Sequence, residues 1–577
     1  MSKLFNFYLL FEKDEKKKFL SIFFIIFAIS LVDVLSVGAT IPFLLALTHT
    51  TESSNYVVDF LIQNPIFSTS ENLILHTFFI VLFFFILKTI FVFYLIYYKN
   101  NIFRFFFISL SNRIMRSYMF APYEKFIEIN SSKMINSLNK EIELLINGAI
   151  NPFIILILEA ITIFFILCFA AYLNIFLFLI LTFFVIFLIF FFKISFGSKL
   201  KSLGIERLNN QQLVQQNLIQ GFHGIKDIKL LNKEDFFIRK FSEKIEKIGK
   251  LTMLYNFFSE IPRYLIELFV VILLGIFIFY FLLSNTTSIL IFLGIFGVIA
   301  IKLLPSLNRI SISINSIKYY SPVAIGLLND LKLGCKDNKD KEYENLIKID
   351  FYKFEAKNIE FFYKNNQKIF SDLNFVIKKY DYVGIFGESG AGKTTFIDLF
   401  TGLINVNSGK IIINEILNLE DIKKSWQNII GYVPQFSYFT EESIYNNIAF
   451  GIDDKKINYQ LVEELVVLVG LNSFVKNLPQ GCNTKIIDRG LNLSGGQKQK
   501  IAIARALYKD PQILIFDEAT NSLDNLAEQE IVTLINEIKK NKTIIHISHN
   551  LSLFKNCSKI LEVKERKIDN IGISVIK

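Results

Sequence analysis

The chain is poor in the residues that punctuate and cross-link small folds: of 577 residues, one is Trp, four are Cys and ten are Pro. Cys168, Cys335, Cys482 and Cys557 stand far apart, with no CxxC and no metal-ligand spacing. That excludes a cysteine-built metal module and leaves reduced, structural thiols as the expectation. Residues 49–72 and 284–288 contain no Lys or Arg at all. No cleavable signal peptide is apparent either. Five lysines precede Phe19, but the apolar run after them is long enough to stay in a bilayer. Phe is abundant, with 63 copies, and we give that no meaning by itself.

What is present is divided along the chain. Residues 1–328 are dominated by Phe, Ile and Leu, 329–348 read as a polar linker, and 349–577 read as a water-soluble α/β domain. One hydrophobic core does not serve 577 residues, so at least two domains are expected. The net charge of +10 raises nucleic acid as a partner, but Lys and Arg gather beside apolar runs, as in loops retained on the cytoplasmic side of a membrane. Nucleic acid is therefore not expected.

A membrane span needs about 20 apolar residues. Six are expected, near 19–47, 73–98, 148–172, 175–195, 262–283 and 287–311, the third and fourth joined by a tight turn at Asn174. Segments 1–18, 99–147 and 193–261 are rich in Lys and Arg, so they and both termini are expected in the cytoplasm. The two long inner segments are patterned as helix extensions. An all-α membrane domain of six helices followed by an α/β domain is the expected fold class.

In the second domain the apolar run Tyr382–Phe386 enters Gly387-Glu388-Ser389-Gly390-Ala391-Gly392-Lys393-Thr394 and then a helical pattern opening with Thr395. This is GxxxxGK[ST] in its strand–turn–helix setting. Glycines let backbone N–H groups wrap phosphates, the helix N-terminus adds positive potential, Lys393 reaches the β- and γ-phosphates, and Thr394 binds Mg²⁺. ATP and Mg²⁺ are thus the expected cofactors. A second apolar strand, Ile513–Phe516, ends in Asp517 and Glu518. Asp517 suits Mg²⁺, which leaves Glu518 to orient or deprotonate the attacking water.

Twenty residues earlier stands Leu493-Ser494-Gly495-Gly496-Gln497. Together these motifs make residues 350–565 resemble the nucleotide-binding domain of ABC transporters. The resemblance implies that Tyr363 stacks on adenine, that Gln435 senses Mg²⁺, and that His549 contacts the γ-phosphate. It implies that Ser494, Gly495, Gly496 and Gln497 cap the γ-phosphate held by the opposite subunit, and that Asp524 lies in the loop between the sites. His546, three residues before His549 in the same strand, reads as a packing residue. Lys498-Gln499-Lys500, Asn521-Ser522 and Asn550 depart from the family's commoner residues without removing a charged ligand. Each motif occurs once, so two composite sites imply a C2 homodimer; a heterodimer is the alternative. The segment Thr484–Gly490 resembles a loop found in the family's exporters. Short transverse helices that would meet such a domain are expected near 123–139 and 221–234.

Ionisable residues inside spans are costly and frequently functional. Lys88, Arg263, Lys302 and Arg309 are candidates to line an inward-opening cavity for an anionic head group such as a diphosphate. Asp33, Glu159 and Glu267 are also present; Arg263 and Glu267, four residues apart, form a candidate pair. The membrane half resembles the PglK-type flippases of polyprenyl-diphosphate-linked oligosaccharides, through Ser30-Leu31-Val32-Asp33, Ile41-Pro42-Phe43, Pro262-Arg263 and Lys302–Arg309. Lysine stands at 88 and 302 where those flippases carry arginine, which keeps the charge and loses the bidentate fork. Val57–Ile62 matches their short periplasmic helix. The resemblance implies a multi-pass protein of a bacterial inner membrane, with a cytoplasmic nucleotide domain and partners that are membrane lipids and an anionic lipid-linked substrate. A multidrug, peptide or lipid A exporter is the competing expectation.

Overall fold

A computed structural model describes residues 6–40, 43, 70–173, 175–284, 289–334, 347–363, 368–487, 490, 492–520, 525–564 and 566–571. The expected turn at Asn174, the helix at Val57–Ile62, and Cys335 and Asp524 lie outside these residues. By packing, the chain divides into two units: residues 1–121 with 125–336, and residues 337–577 with Pro122–Glu124.

The first unit is helical. Its long helices are α1 (Lys13–Gly38), α2 (Ser70–Met119), α3 (Asn151–Leu173), α4 (Ile175–His223), α5 (Glu234–Ser284) and α6 (Ile289–Leu331). Among the described residues, Lys13–Ser36, Ile74–Met119 and Ser131–Tyr172 are long and apolar enough to cross a membrane; Phe178–Phe187 in α4 is a shorter apolar run. Much of α2 leaves its apolar side chains uncovered, Phe83 and Phe93 among them. An apolar surface of this extent is what lipid solvates and water does not. The expected helical extensions are present, because α2 continues to Met119, α4 continues to His223 and α5 begins at Glu234. Beyond them lie the short helices Tyr123–Glu128 and Ile225–Leu230.

Two close approaches hold α6 in place. A Cβ on Gly204 of α4 would stand 2.0 Å from the Tyr319 carbonyl, and one on Gly148 would stand 2.3 Å from the Tyr320 ring. Tyr319 in turn stacks on Tyr255 of α5, with centroids 4.2 Å apart, and the guanidinium of Arg207 lies over both Tyr319 and Tyr320. The run before α3 contains two π-helical turns, Ser137–Glu141 and Ile146–Ile150. Such insertions need local anchoring. Here buried Asp330 accepts from Lys133 and from Ser137, each at 3.0 Å, and Asn136 donates to buried Glu141 at 2.7 Å. The linker expected from residue 329 therefore starts later: those same bonds hold Asp330 inside the bundle and carry α6 through Leu331.

The N-terminal segment, expected as a basic cytoplasmic stretch, is packed. Asn6–Leu10 forms a 3₁₀ turn whose Phe7 and Leu10 are buried. Phe11 stacks on Phe106 at 4.2 Å, Phe7 meets Phe153 edge-on at 5.2 Å, and Arg113 donates to the Leu10 carbonyl at 2.8 Å.

The second unit has two sheets. Strands β1 (Lys353–Phe362), β2 (Lys368–Lys378), β4 (Ser408–Ile413) and β5 (Leu417–Asn418) form one, in the order β2-β1-β4-β5. The other contains β3 (Tyr382–Phe386), β6 (Ile430–Val433), β7 (Ile513–Asp517), β8 (Thr543–Ile547), β9 (Lys559–Lys564) and β10 (Lys567–Ile571), in the order β10-β9-β3-β8-β7-β6. Its central strands β3, β8, β7 and β6 are parallel. Strands β7 and β8 are buried along their whole length, which is why they read as unbroken apolar runs. Trp426, the single Trp, is fully buried and donates to the Phe400 carbonyl at 2.7 Å.

His546 on β8 is enclosed, with Nδ1 3.2 Å from the Tyr382 hydroxyl. Burial lowers its pKa from 6.5 to about 4. The folded state therefore binds fewer protons than the unfolded one. Its stabilising contribution is complete above pH 6.5 and is lost as pH falls from there towards 4, by roughly 3 kcal/mol at 1.36 kcal/mol for each pH unit. We expect unfolding followed by Trp426 fluorescence to show a steeper loss between pH 6.5 and 4.5 in the wild type than in His546→Phe. Parallel acid profiles would remove His546 as the cause.

Candidate functional site

The parallel order β3-β8-β7-β6 decides what meets what. In such sheets, ligands bind beyond the carboxyl ends of the strands. The loop after β3 is the Gly-rich segment, His549 follows β8, Asp517 and Glu518 close β7, and Gln435 follows β6. Four motifs spread over more than 160 positions of sequence thus become neighbours along one edge.

The Gly-rich loop leads into α7 (Lys393–Phe400), whose N-cap Gly392 has φ +107°. A Cβ there would be strained, and would also stand 2.9 Å from Ile369 Cγ2. Gly390, with φ +81°, has open space beside its Cα, and Glu388, Ser389 and Gly390 are exposed while Ala391 and Gly392 are half-buried. This is a backbone cradle with room for an anion.

Lys393 is 7% exposed and folds back on the loop. Its Nζ donates to the Gly387 carbonyl at 2.8 Å and the Glu388 carbonyl at 3.0 Å, and lies 3.3 Å from His549 Nε2. Burial holds its pKa below the ordinary lysine value, against the opposing pull of Glu518.

Glu518 sits at the centre. Its Oε1 is 2.8 Å from His549 Nε2 and 3.7 Å from Lys393 Nζ, and its Oε2 accepts from Gln435 Nε2 at 2.8 Å. Its backbone is in the left-handed region, φ +50°, a conformation a glutamate adopts only when its surroundings impose it. Lys393, Gln435, Glu518 and His549 are therefore brought together.

Asp517 is buried beside them, and that burial raises its pKa. Its Oδ2 accepts from the Tyr432 hydroxyl at 2.8 Å. Asp398 of α7 is pushed up to about 6 by burial and then by the charge of Asp517. Tyr432 and Asp398 were not among the expected site residues. For Tyr432 the signal is the register of β6 on β7, Tyr432 against Ile515, which a single sequence does not carry; Asp398 lies one turn into α7. The donors here, Asp517, Gln435 and the exposed Thr394, offer oxygen alone, which fits a hard cation such as Mg²⁺.

Tyr363 follows β1, half exposed, with its hydroxyl 3.2 Å from the Thr395 hydroxyl, so it stands at the edge of the loop. Ser494 is the N-cap of α8 (Gly495–Leu507), and Ser494 and Gln497 cap each other reciprocally. That leaves the N–H groups of Gly495 and Gly496 at a helix start, a ready anion site when a second surface approaches. Lys500 pairs with Glu530 at 2.6 Å, and Asn550 caps the turn that follows it, so both departures from the family pattern have structural work. Lys485 bridges to Ser443 in the segment expected to act as an exporter loop.

In the helical unit the four candidate cations are each paired. Arg263 meets Glu267 at 3.1 Å and Arg309 meets buried Glu159 at 2.6 Å. Lys302 and Lys88 both meet Asp33, the former at 2.7 Å. Lys302 and Arg309, seven apart in sequence, thus serve different partners on α1 and α3. Each of the four thus has a carboxylate partner. Two neutral pairs and one triad carrying a single excess positive charge stand there.

Comparison with known proteins agrees with both halves. The family model described as ABC transporter transmembrane region matches residues 17–281, and the one described as ABC transporter matches residues 370–521. A putative export ATP-binding/permease protein of Rickettsia bellii is 30% identical over 406 residues, 66% of each chain, so the match spans about two thirds of that relative's length. An ATP-dependent lipid A-core flippase of Haemophilus influenzae is 34% identical over 220 residues, 38% of this chain and 37% of the relative. The solved structure of a bacterial Atm1-family ABC exporter with ATP bound matches with a TM-score of 0.80 over 97% of this chain and 96% of that one. At 17% identity it shows the fold.

Proposed function

Since this chain belongs to the ABC transporters, carrying both the family's transmembrane region and its ATP-binding domain, we propose that it is an ATP-driven exporter moving an anionic lipid-linked substrate from the cytoplasmic to the outer leaflet. Polyprenyl-diphosphate oligosaccharide is the substrate we assign. The motor reading rests on Glu518, which meets His549 and Gln435 and lies beside Lys393. Lys393 and the loop N–H groups would hold the phosphates, while Thr394, Asp517 and Gln435 would hold Mg²⁺, which supplies charge neutralisation at the phosphates. Glu518 would accept a proton from the attacking water, with His549 and Gln435 fixing its carboxylate.

Ser494 to Gln497 would close over the nucleotide of the other subunit in a homodimer, and Asp524 would lie between the two sites. Tyr363 would pack on the adenine. The expected setting is a bacterial inner membrane with the ATP-binding domain in the cytoplasm.

The cargo reading rests on the triad of Asp33, Lys88 and Lys302, the described intramembrane cluster with excess positive charge. A second reading, lipid A export, is favoured by the likeness to the Haemophilus influenzae flippase. ATPase turnover in proteoliposomes distinguishes them. We expect lipid-linked oligosaccharide to stimulate several-fold, and more than lipid A or a neutral drug. Greater stimulation by lipid A selects the second reading, and no stimulation by any anionic lipid removes both.

A further inference from the structure

Asp33 on α1 receives two ammonium groups on one oxygen: Oδ1 meets Lys88 of α2 and Lys302 of α6. The Asp33, Lys88 and Lys302 side chains are 15%, 25% and 22% exposed, so the cluster is mostly enclosed without being sealed. Both ammonium groups also lie near the Phe85 ring, at 6.0 and 5.9 Å from its centroid. Two positive charges converge on a carboxylate that carries one negative charge, so the lysines repel each other and remain under-neutralised. The other described pairs, Arg263 with Glu267 and Arg309 with Glu159, balance to zero.

A phosphate ester or a diphosphate carries more negative charge and more acceptor oxygens than a carboxylate. It is the better counter-ion for two lysines. We propose that Asp33 is a specificity-determining residue, a resident anion that keeps Lys88 and Lys302 together until the phosphate group of a lipid displaces it. The proposal rests on the anionic-lipid reading above and adds to it a residue of negative charge inside a site for negative ligands.

The consequence is a threshold. Any ligand that takes the lysines must first separate them from Asp33, so a neutral lipid has no means of entry. An anionic head group enters, but holds less tightly than it would against two unpaired lysines. The displaced carboxylate remains beside the bound head group and repels it, which favours release once the site opens elsewhere.

The test uses the full chain in nanodiscs, with ATPase stimulation titrated against polyprenyl diphosphate, polyprenol of equal length, and inorganic pyrophosphate. Asp33→Asn is expected to lower the half-stimulating concentration of polyprenyl diphosphate about tenfold, the low end for a close charge pair. It should also reduce maximal turnover through slower release, and leave the polyprenol response where it was. A companion variant, Asp33→Asn with Lys88→Gln, restores the original charge balance. It should bring the half-stimulating concentration back towards wild type, and it remains readable if the single variant folds poorly.

If the wild type responds to polyprenyl diphosphate no better than to polyprenol, the anionic-lipid reading falls. If the wild type responds but Asp33→Asn leaves the half-stimulating concentration unchanged or raises it, counter-ion exchange falls while that reading stands. Failure of the companion variant to reverse the gain has the same meaning. A shift seen with pyrophosphate alone would make the ligand a free anion and overturn the assignment to a lipid.

Discussion

Glu518→Gln is expected to cut ATP hydrolysis by about two to four orders of magnitude, the contribution of a positioned general base, while the protein still binds ATP and accumulates as a closed dimer. The geometry explains why the loss is confined to chemistry. Glutamine keeps the shape of the side chain, and its one remaining oxygen still accepts a hydrogen bond. The other position becomes a donor, facing either His549 Nε2 or Gln435 Nε2, which Glu518 now engages at 2.8 Å each. The charge that lies 3.7 Å from Lys393 also disappears, so the lysine is freer to turn to phosphate. Binding is therefore retained or tightened as turnover stops. Phosphate release and retention of ATP on a sizing column measure the two effects separately. Wild-type turnover in this variant would assign proton abstraction to another group.

Mixed dimers should separate composite sites from sites built within one chain. Lys393→Ala removes the phosphate-binding cation, and Ser494→Glu breaks the reciprocal cap with Gln497 and places a negative charge at the start of α8. With one substitution in each subunit, a composite arrangement puts both defects in one site and leaves the other whole, so about half of wild-type turnover remains. With both substitutions in one subunit and none in its partner, each composite site carries one defect and turnover is close to nil. Sites built within single chains would reverse the two results. Dimers purified through two different tags provide the measurement. If both arrangements are dead, the two sites do not work independently.

Legibility in the sequence followed sequence distance. The Gly-rich loop was readable because its residues are consecutive and its strand and helix flank it, and the same holds for Asp517 and Glu518 at the end of an apolar run. The pair of Arg263 with Glu267 was readable because one helical turn separates them. Asp33 and Lys302 were each visible as ionisable residues inside spans, but 269 positions separate them, and no local pattern says that they touch. Tyr432 stands three residues before Gln435 and still escaped notice, since its bond to Asp517 depends on which strand lies next to β6. The packed start of the chain was hidden for a different reason. Asn6–Leu10 has too few residues for a periodic signal, and its partners lie on α2 and α3.

That last feature bears on how the protein is made. The segment Phe7–Phe11 is synthesised well before its partners, since Arg113 comes 103 residues after the Leu10 carbonyl it binds, and Phe153 later still. At 5–20 residues per second the wait is roughly 5 to 20 s. Phe7–Phe11 is therefore fastened only after α2 and the start of α3 have been made. Until then it is an apolar stretch without its partners, open to chaperones and proteases.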